Sequence, residues 1–337
     1  MKVCPNCFSD KEIKGFISTS EEIGDCKICN SKNVNLLDLK ELFDFFEELI
    51  ENFQKIENGD PISSKIQANW SFFSSNKTAI EILNFILPEI SSDINNSEDL
   101  VDYTSEISDN YNHWETIKEE LKWSNRFFIN TDYLVELGWD GFFNTQYELK
   151  PSDKLYRARV HHMSGLPAID NIQMLCPPKD KSTGGRANPI GIPYLYLSDK
   201  KETVLYEVRA SYLDELSIGT FKLKTDSENL RIVDFTEDTS LYQPTRVKDT
   251  IKSRFLREKI SLDLSKPMRR YDSEIEYIPT QFICEFIKVI TGAEGIRFRS
   301  SLHTTGKNIV LFDQTKIECT NVRKSRITSL KLNAIDL

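Results

Sequence analysis

No apolar run in this sequence approaches the ~18 residues that a membrane-spanning helix needs. The opening MKVCPNCFSD lacks the apolar core of a secretory signal, so a cytoplasmic protein with no membrane partner is expected. Basic charge is scarce at first: residues 1–150 hold 13 Lys+Arg against 28 Asp+Glu, and Arg126 is their only arginine. That leaves 30 against 24 for residues 151–337. An acidic half is a poor nucleic-acid binder, because phosphate contacts dominate such affinity. The arginine-rich half suits a phosphorylated ligand. Internal repeats are absent, and the only low-complexity tract is the polar stretch at 91–99.

What is present begins with cysteine. Cys4-Pro5-Asn6-Cys7 and Cys26-Lys27-Ile28-Cys29 form two CxxC pairs with eighteen residues between them. Each pair delivers two thiolates to one point, and four thiolates close a tetrahedral zinc site. The spacing therefore predicts a structural zinc ribbon over residues 1–36, in a reducing compartment where disulfides are rare. Cys176, Cys284 and Cys319 are scattered and read as small buried hydrophobes.

Residues 36–56 place Leu39, Leu42, Phe46, Leu49, Phe53 and Ile56 at helical spacing, with Gly59-Asp60-Pro61 as the stop. Further helices are expected over 78–87 and 111–128, with another element at Tyr133–Leu137. Residues 37–150 then form a helical domain, and Glu148–Asp153 a short polar linker. With 337 residues, two domains or slightly more are expected. Beyond the linker, strands are expected at 218–223, 230–235, 295–299 and 308–312. Helices are expected at 244–260, a basic one, and at 279–291.

The chain turns on residues 154–209. Leu155–Val160 alternates with period two, which predicts a strand with Arg157 and Arg159 on one face. Gly184-Gly185-Arg186-Ala187-Asn188-Pro189 is turn chemistry, with Arg186 on a backbone that can approach a ligand closely. Pro193–Ser198 reads as a second strand, with Tyr194 and Tyr196 on one side. Ser198 or Asp199 is expected to cap a helix carrying Glu207. Forked arginines suit phosphate, a tyrosine face suits a flat cationic ring, and a carboxylate suits an oxocarbenium-like transition state. NAD+ contains all three targets: a diphosphate, a nicotinamide ring and an N-ribosidic bond.

The LYRAR, GGRANP, PYLYLSD, LYE and GIRFRS blocks, in that order, resemble the RES domain, named for an Arg, a Glu and a Ser. The likeness runs from 153 to 316. It implies a fold like that of ADP-ribosyltransferases and a toxin that consumes NAD+. The family's three named residues fall on Arg157, Glu207 and Ser300. Arg157 and Arg186 then clamp the diphosphate, Tyr196 packs on the nicotinamide with Tyr194 in reserve, and Asn308 supports the site. A zinc ribbon and helices ahead of a RES domain resemble the region called HEPN/RES. Some HEPN domains are ribonucleases using an Arg with a His four to six residues on. Here His113 precedes Arg126, so ribonuclease activity is not expected.

The expectation is an α+β protein: zinc ribbon 1–36, helical domain 37–150, RES domain 151–320 and tail 321–337. It cleaves the nicotinamide–ribose bond of NAD+ as a toxin or defence effector, by hydrolysis or phosphorolysis. Protein ADP-ribosylation and a non-catalytic NAD+ or ADP-ribose sensor are the alternatives. Zinc is the expected structural cofactor. A homo-oligomer and an antitoxin or immunity protein are the expected partners.

Overall fold

The structure is a computed structural model that describes every residue except 91–92, 145, 226, 244, 268–273 and 330–337. Pro244 at the head of the expected basic helix and the last eight residues of the expected tail lie outside the described residues. Helices and strands are mixed, as the α+β expectation had it, but the stretch 37–150, expected to be helical, also carries strands. The chain forms two compact units. One is Met1–His113 with Asp238–Leu256; the other is Trp114–Glu237 with the chain from Arg257 on. The sequence placed its divisions elsewhere, at 36/37, 150/151 and 320/321.

The first unit starts with strand β1 (Lys2–Val3), helix α1 (Lys11–Ile17), β2 (Ile23–Gly24), β3 (Val34–Asn35) and β4 (Leu37–Asp38). Then come α2 (Phe43–Ile50), β5 (Phe53–Pro61), α3 (Ile62–Trp70), α4 (Asn76–Ile86) and β6 (Leu100–Tyr103); α5 (Ser105–Trp123) follows, its residues from Trp114 on falling in the second unit. The helix expected over 36–56 is thus interrupted at both ends. A 3-10 turn occupies Leu39–Leu42, and α2 stops at Ile50. Asn52 ends it by donating Nδ2 to the Glu48 carbonyl at 2.6 Å and the Leu49 carbonyl at 3.4 Å. Phe53 to Lys55 then pair with Tyr103 to Val101, so ladder formation overrides helical spacing. Gly59 does not stop a helix but permits a bulge. A Cβ there would meet the Val101 carbonyl oxygen at 2.6 Å.

Asp10 ties this unit together. Its Oδ1 accepts from the Glu12 and Ile13 amides as the N-cap of α1. Ser240 Oγ donates to Oδ1 at 2.5 Å and the Leu241 amide to Oδ2 at 2.7 Å, which returns residues 240–242 to the core. The aromatic residues here are core, with Phe46, Phe72 and Phe73 fully buried.

The second unit adds α6 (Thr131–Glu136), α7 (Trp139–Phe142), β7 (Gln146–Leu149), β8 (Leu155–Val160), β9 (Leu195–Ser198), α8 (Lys201–Glu207), β10 (Glu215–Leu223) and β11 (Leu230–Asp234). After these come α9 (Val247–Ser265), whose residues up to Leu256 fall in the first unit, α10 (Ile278–Thr291), β12 (Gly295–Arg299), β13 (Lys307–Leu311) and β14 (Ile317–Arg326). Eight strands form one mixed sheet, ordered β14-β10-β8-β9-β13-β12-β11-β7, with β11 and β12 its parallel pair. Two of these strands differ from the expectation. Glu148 and Leu149, expected in a linker, belong to edge strand β7. Residues 317–326, for which no strand was expected, form the ten-residue strand β14 against β10, and the division expected at 320 falls inside it. Its polar outward side chains suit a sheet edge, where apolar alternation is not required.

One joint in this sheet is barely made. Strands β8 and β9 share a single residue pair, Tyr156↔Ser198, whereas β8–β10 has six and β9–β13 has four. The sheet is therefore nearly split in its middle, between the two strands of the central stretch.

The Asp10 arrangement makes a prediction. Replacing Asp10 with Ala removes a cap worth about 1 kcal/mol together with the anchor of residues 240–242. Thermal unfolding should show a loss of several degrees. A variant as stable as the wild type would show that Asp10 anchors nothing.

Candidate active site

The open seam between β8 and β9 widens into a cavity of about 650 Å³, within the range of ligand pockets. Arg157 and Ala158 from β8 and Tyr196, Leu197 and Ser198 from β9 line it. Helix α8 contributes Glu207, and β13 contributes Asn308.

Arg157, half-buried, projects into this space from β8. Its Nη1 is buried and has no hydrogen-bond partner. Burial, and then the like charge of Arg159, pull its pKa down to about 10. Arg159 shares the face, as expected. It donates Nη2 to the Leu175 carbonyl at 2.9 Å and leaves its own Nε buried and unpartnered. Cys176, expected as a buried hydrophobe, is instead half-buried beside Arg157, and burial raises its thiol pKa. A buried cation without a counter-anion is costly, and a bound anion removes that cost.

Arg186 reaches the same cavity from the glycine loop. Its guanidinium lies 5.7 Å from the centroid of the Tyr277 ring, and Nη1 donates to the Asp263 carbonyl at 3.2 Å. Burial again lowers its pKa. The loop is fixed from several sides. Thr280 Oγ1 donates to the Arg186 carbonyl, and Gln281 Nε2 to the Gly185 carbonyl. Asn188 Nδ2 donates to the carbonyls of Thr183, Pro189 and Ile192. Tyr196 belongs to this clamp. Its hydroxyl donates to Asn188 Oδ1 at 2.7 Å and accepts from the Ala187 amide at 3.0 Å. Glycine is required at 185, because a Cβ would lie 2.7 Å from that hydroxyl. The Tyr196 ring is thus available to a ligand while its hydroxyl is committed.

Glu207 ends α8. Its Oε1 accepts from Ser300 Oγ at 2.7 Å and from Asn308 Nδ2 at 2.8 Å. Asn308 Oδ1 in turn accepts from Ser198 Oγ at 2.7 Å. Two neutral donors thus hold one oxygen of the carboxylate without neutralising it. Ser300 is buried and also accepts from the Leu302 and His303 amides, while Ser301 lines the cavity.

The structure therefore brings together Arg157, Arg186, Tyr196, Glu207 and Asn308 as lining residues, with Ser300 bonded to Glu207. Tyr194 stands apart. It is 4% exposed, packs on Phe312, and receives Lys288 5.4 Å from its ring centroid. Neither expected cap of α8 acts as one. The N-cap is Lys200, while Ser198 serves Asn308 and Asp199 Oδ1 accepts from the Lys307 amide. His303 is structural, with Nδ1 bonded to Thr203 and its ring stacked on Tyr206.

Arg209 and Glu274, which the sequence pattern did not assign to the site, also line the cavity. Arg209 adopts φ +50°, a left-handed position that favours glycine at the end of a helix. Several cations of the expected basic helix are engaged. Lys252 and Lys248 pair with Glu106, and buried Arg257 donates to the Asp234 carbonyl.

In the first unit, the sulfurs of Cys4, Cys7, Cys26 and Cys29 all lie within 4.8 Å of one another. Cys4–Cys29 and Cys7–Cys26 separations are 3.3 and 3.5 Å. Four thiolates around a tetrahedral ion with bonds of about 2.3 Å stand ~3.8 Å apart, so this cluster could hold a metal ion.

A family model described as RES domain matches residues 154–333. No curated protein matches the chain significantly. Among solved structures, the crystal structure of the M. tuberculosis MbcT-MbcA toxin-antitoxin complex matches with a TM-score of 0.30 and 12% identity. That match covers 56% of this chain and 89% of the other.

The unpaired Arg157 makes two linked predictions. Arg157→Met, which removes a buried uncompensated charge, should raise the melting temperature by about 2 °C or more. Inorganic pyrophosphate should raise the melting temperature of the wild type and leave that of the variant unmoved. A destabilised variant, or one that pyrophosphate still stabilises, would contradict the reading.

Proposed function

The chain belongs to the RES domain family, and from that premise we propose that it cleaves the nicotinamide–ribose bond of NAD+ as a toxin or defence effector. The observation that carries the proposal is the pairing within one cavity of a guanidinium whose buried Nη1 has no hydrogen-bond partner with a carboxylate held by two neutral donors. Anion capture needs the first; stabilising a developing ribosyl cation needs the second.

In this mechanism Arg157 and Arg186 hold the diphosphate, and the Tyr196 ring packs on the nicotinamide. The C1″–N1 bond breaks, and its electron pair leaves with nicotinamide. Glu207, fixed through Oε1, places its negative charge against the oxocarbenium character at C1″. Ser300 and Asn308 set its orientation, and Ser198 holds the Asn308 amide. Water adds to C1″ and releases a proton, giving ADP-ribose; with phosphate as nucleophile the product is its phosphate ester. The family likeness also implies a neutralising antitoxin or immunity protein.

The four-cysteine cluster is assigned to zinc, because four thiolates close the coordination shell and suit a structural role. Metal analysis of the purified chain should find about one zinc, absent from the Cys4→Ser/Cys26→Ser variant. Zinc-free protein with an intact first unit would exclude the assignment.

Chemistry and binding separate in two variants. Glu207→Gln keeps the shape and removes a charge that matters in the transition state, so nicotinamide release should fall on the order of 10²–10³-fold. Its calorimetric affinity for NAD+ should stay near that of the wild type. Arg157→Ala should show a clear affinity defect, since the diphosphate is present in both ground and transition states. Full turnover by Glu207→Gln would remove the catalytic assignment and favour an NAD+ sensor.

A further inference from the structure

The cavity carries a second carboxylate that the proposed reaction leaves unused. Glu274 opens the 3-10 turn Glu274–Tyr277 and lines the cavity with Glu207. Its carboxylate makes no hydrogen bond or ion pair among the described residues. In a 3-10 turn, residues i and i+3 stand over one another. Glu274 is therefore set beside Tyr277, whose ring carries Arg186. One wall of the cavity so presents, side by side, the Arg186 guanidinium, an aromatic face and a carboxylate without a partner among the described residues. The other carboxylate, Glu207, is bonded to Ser300 and Asn308 across β12 and β13.

We propose that Glu274 takes the 2′-hydroxyl of the adenosine ribose and excludes a 2′-phosphate, so that the cavity selects NAD+ over NADP+. This rests on the NAD+ reading of the site. Arg157, Arg186 and Arg209 all line the cavity. Cations alone would favour the dinucleotide with the larger negative charge. One unneutralised carboxylate at the sugar reverses that preference. It accepts a hydrogen bond from a ribose hydroxyl, whereas a phosphate dianion in the same place meets like charge. Glu207 does not serve this purpose, because its Oε1 is committed and its place is at the bond to be broken. The cluster Arg186–Tyr277–Glu274 thus has the chemistry to recognise a 5′-phosphorylated nucleoside with a free 2′-hydroxyl.

The test measures binding of two half-ligands, AMP and its 2′-phosphorylated form, by calorimetry on the full chain. These need no cleavage, so the outcome is independent of the catalytic reading. The wild type should prefer AMP by at least about tenfold. Glu274→Gln should bring the two affinities within about twofold, mainly by strengthening the 2′-phosphorylated ligand. In turnover, the same variant should lower the NAD+/NADP+ ratio of kcat/KM by about tenfold, through KM rather than kcat. Equal binding by the wild type, an unchanged ratio in Glu274→Gln, or no binding of AMP would each overturn the assignment. A preserved preference for AMP in a protein that leaves NAD+ intact would sink the catalytic reading and leave this one standing.

Discussion

The interaction on which the site depends is one the protein leaves unmade. Arg157 is half-buried on a central strand with its buried Nη1 unpartnered, and its neighbour on that face is another arginine. Folding gains nothing from this arrangement, since a partly desolvated charge without a counter-anion destabilises. The pKa direction agrees with the geometry: burial disfavours the cation, and Arg159 adds repulsion. Between a folded pKa near 10 and the higher value of a free guanidinium, the unfolded chain binds more protons. Stability from this group is therefore regained only at strongly alkaline pH. At neutral pH an anion in the cavity would relieve it.

The rest of the second unit can be understood as holding that cation and a carboxylate around one space. The sheet is parted between β8 and β9, where only Tyr156 and Ser198 pair. Each wall is then braced by polar contacts rather than by strand pairing. The glycine loop is latched by Thr280, Gln281, Asn188 and the Tyr196 hydroxyl. Glu207 is held by Ser300 and Asn308, with Ser198 behind Asn308. Such supporting contacts matter because catalytic groups work only when their own orientations are locked.

Much of the site was legible because its residues obey short-range rules. Alternation in Leu155–Val160 marks a strand and sets both arginines on one face. Two glycines around Arg186 mark a close-approach loop. Period two also set Tyr194 and Tyr196 together, but it does not report what each ring meets, and Tyr194 packs on Phe312 instead. Arg209 and Glu274 enter the cavity through a left-handed residue and a 3-10 turn, features that periodicity does not carry. The same limit applied to the fold. Leu39 through Ile56 has helical spacing, yet Phe53–Lys55 are drawn into a ladder with Val101–Tyr103 by partners about fifty residues away. Strand β14 was hidden because an edge strand tolerates polar side chains on both faces. Family membership supplied the pairing of Glu207 with Ser300, which lie 93 residues apart.

The most direct test of the account is mass analysis of NAD+ incubated with the purified chain, with and without inorganic phosphate. The account predicts free nicotinamide together with ADP-ribose, or with the phosphate ester of ADP-ribose when phosphate is present. NAD+ recovered intact after incubation with folded, metal-loaded protein would contradict it.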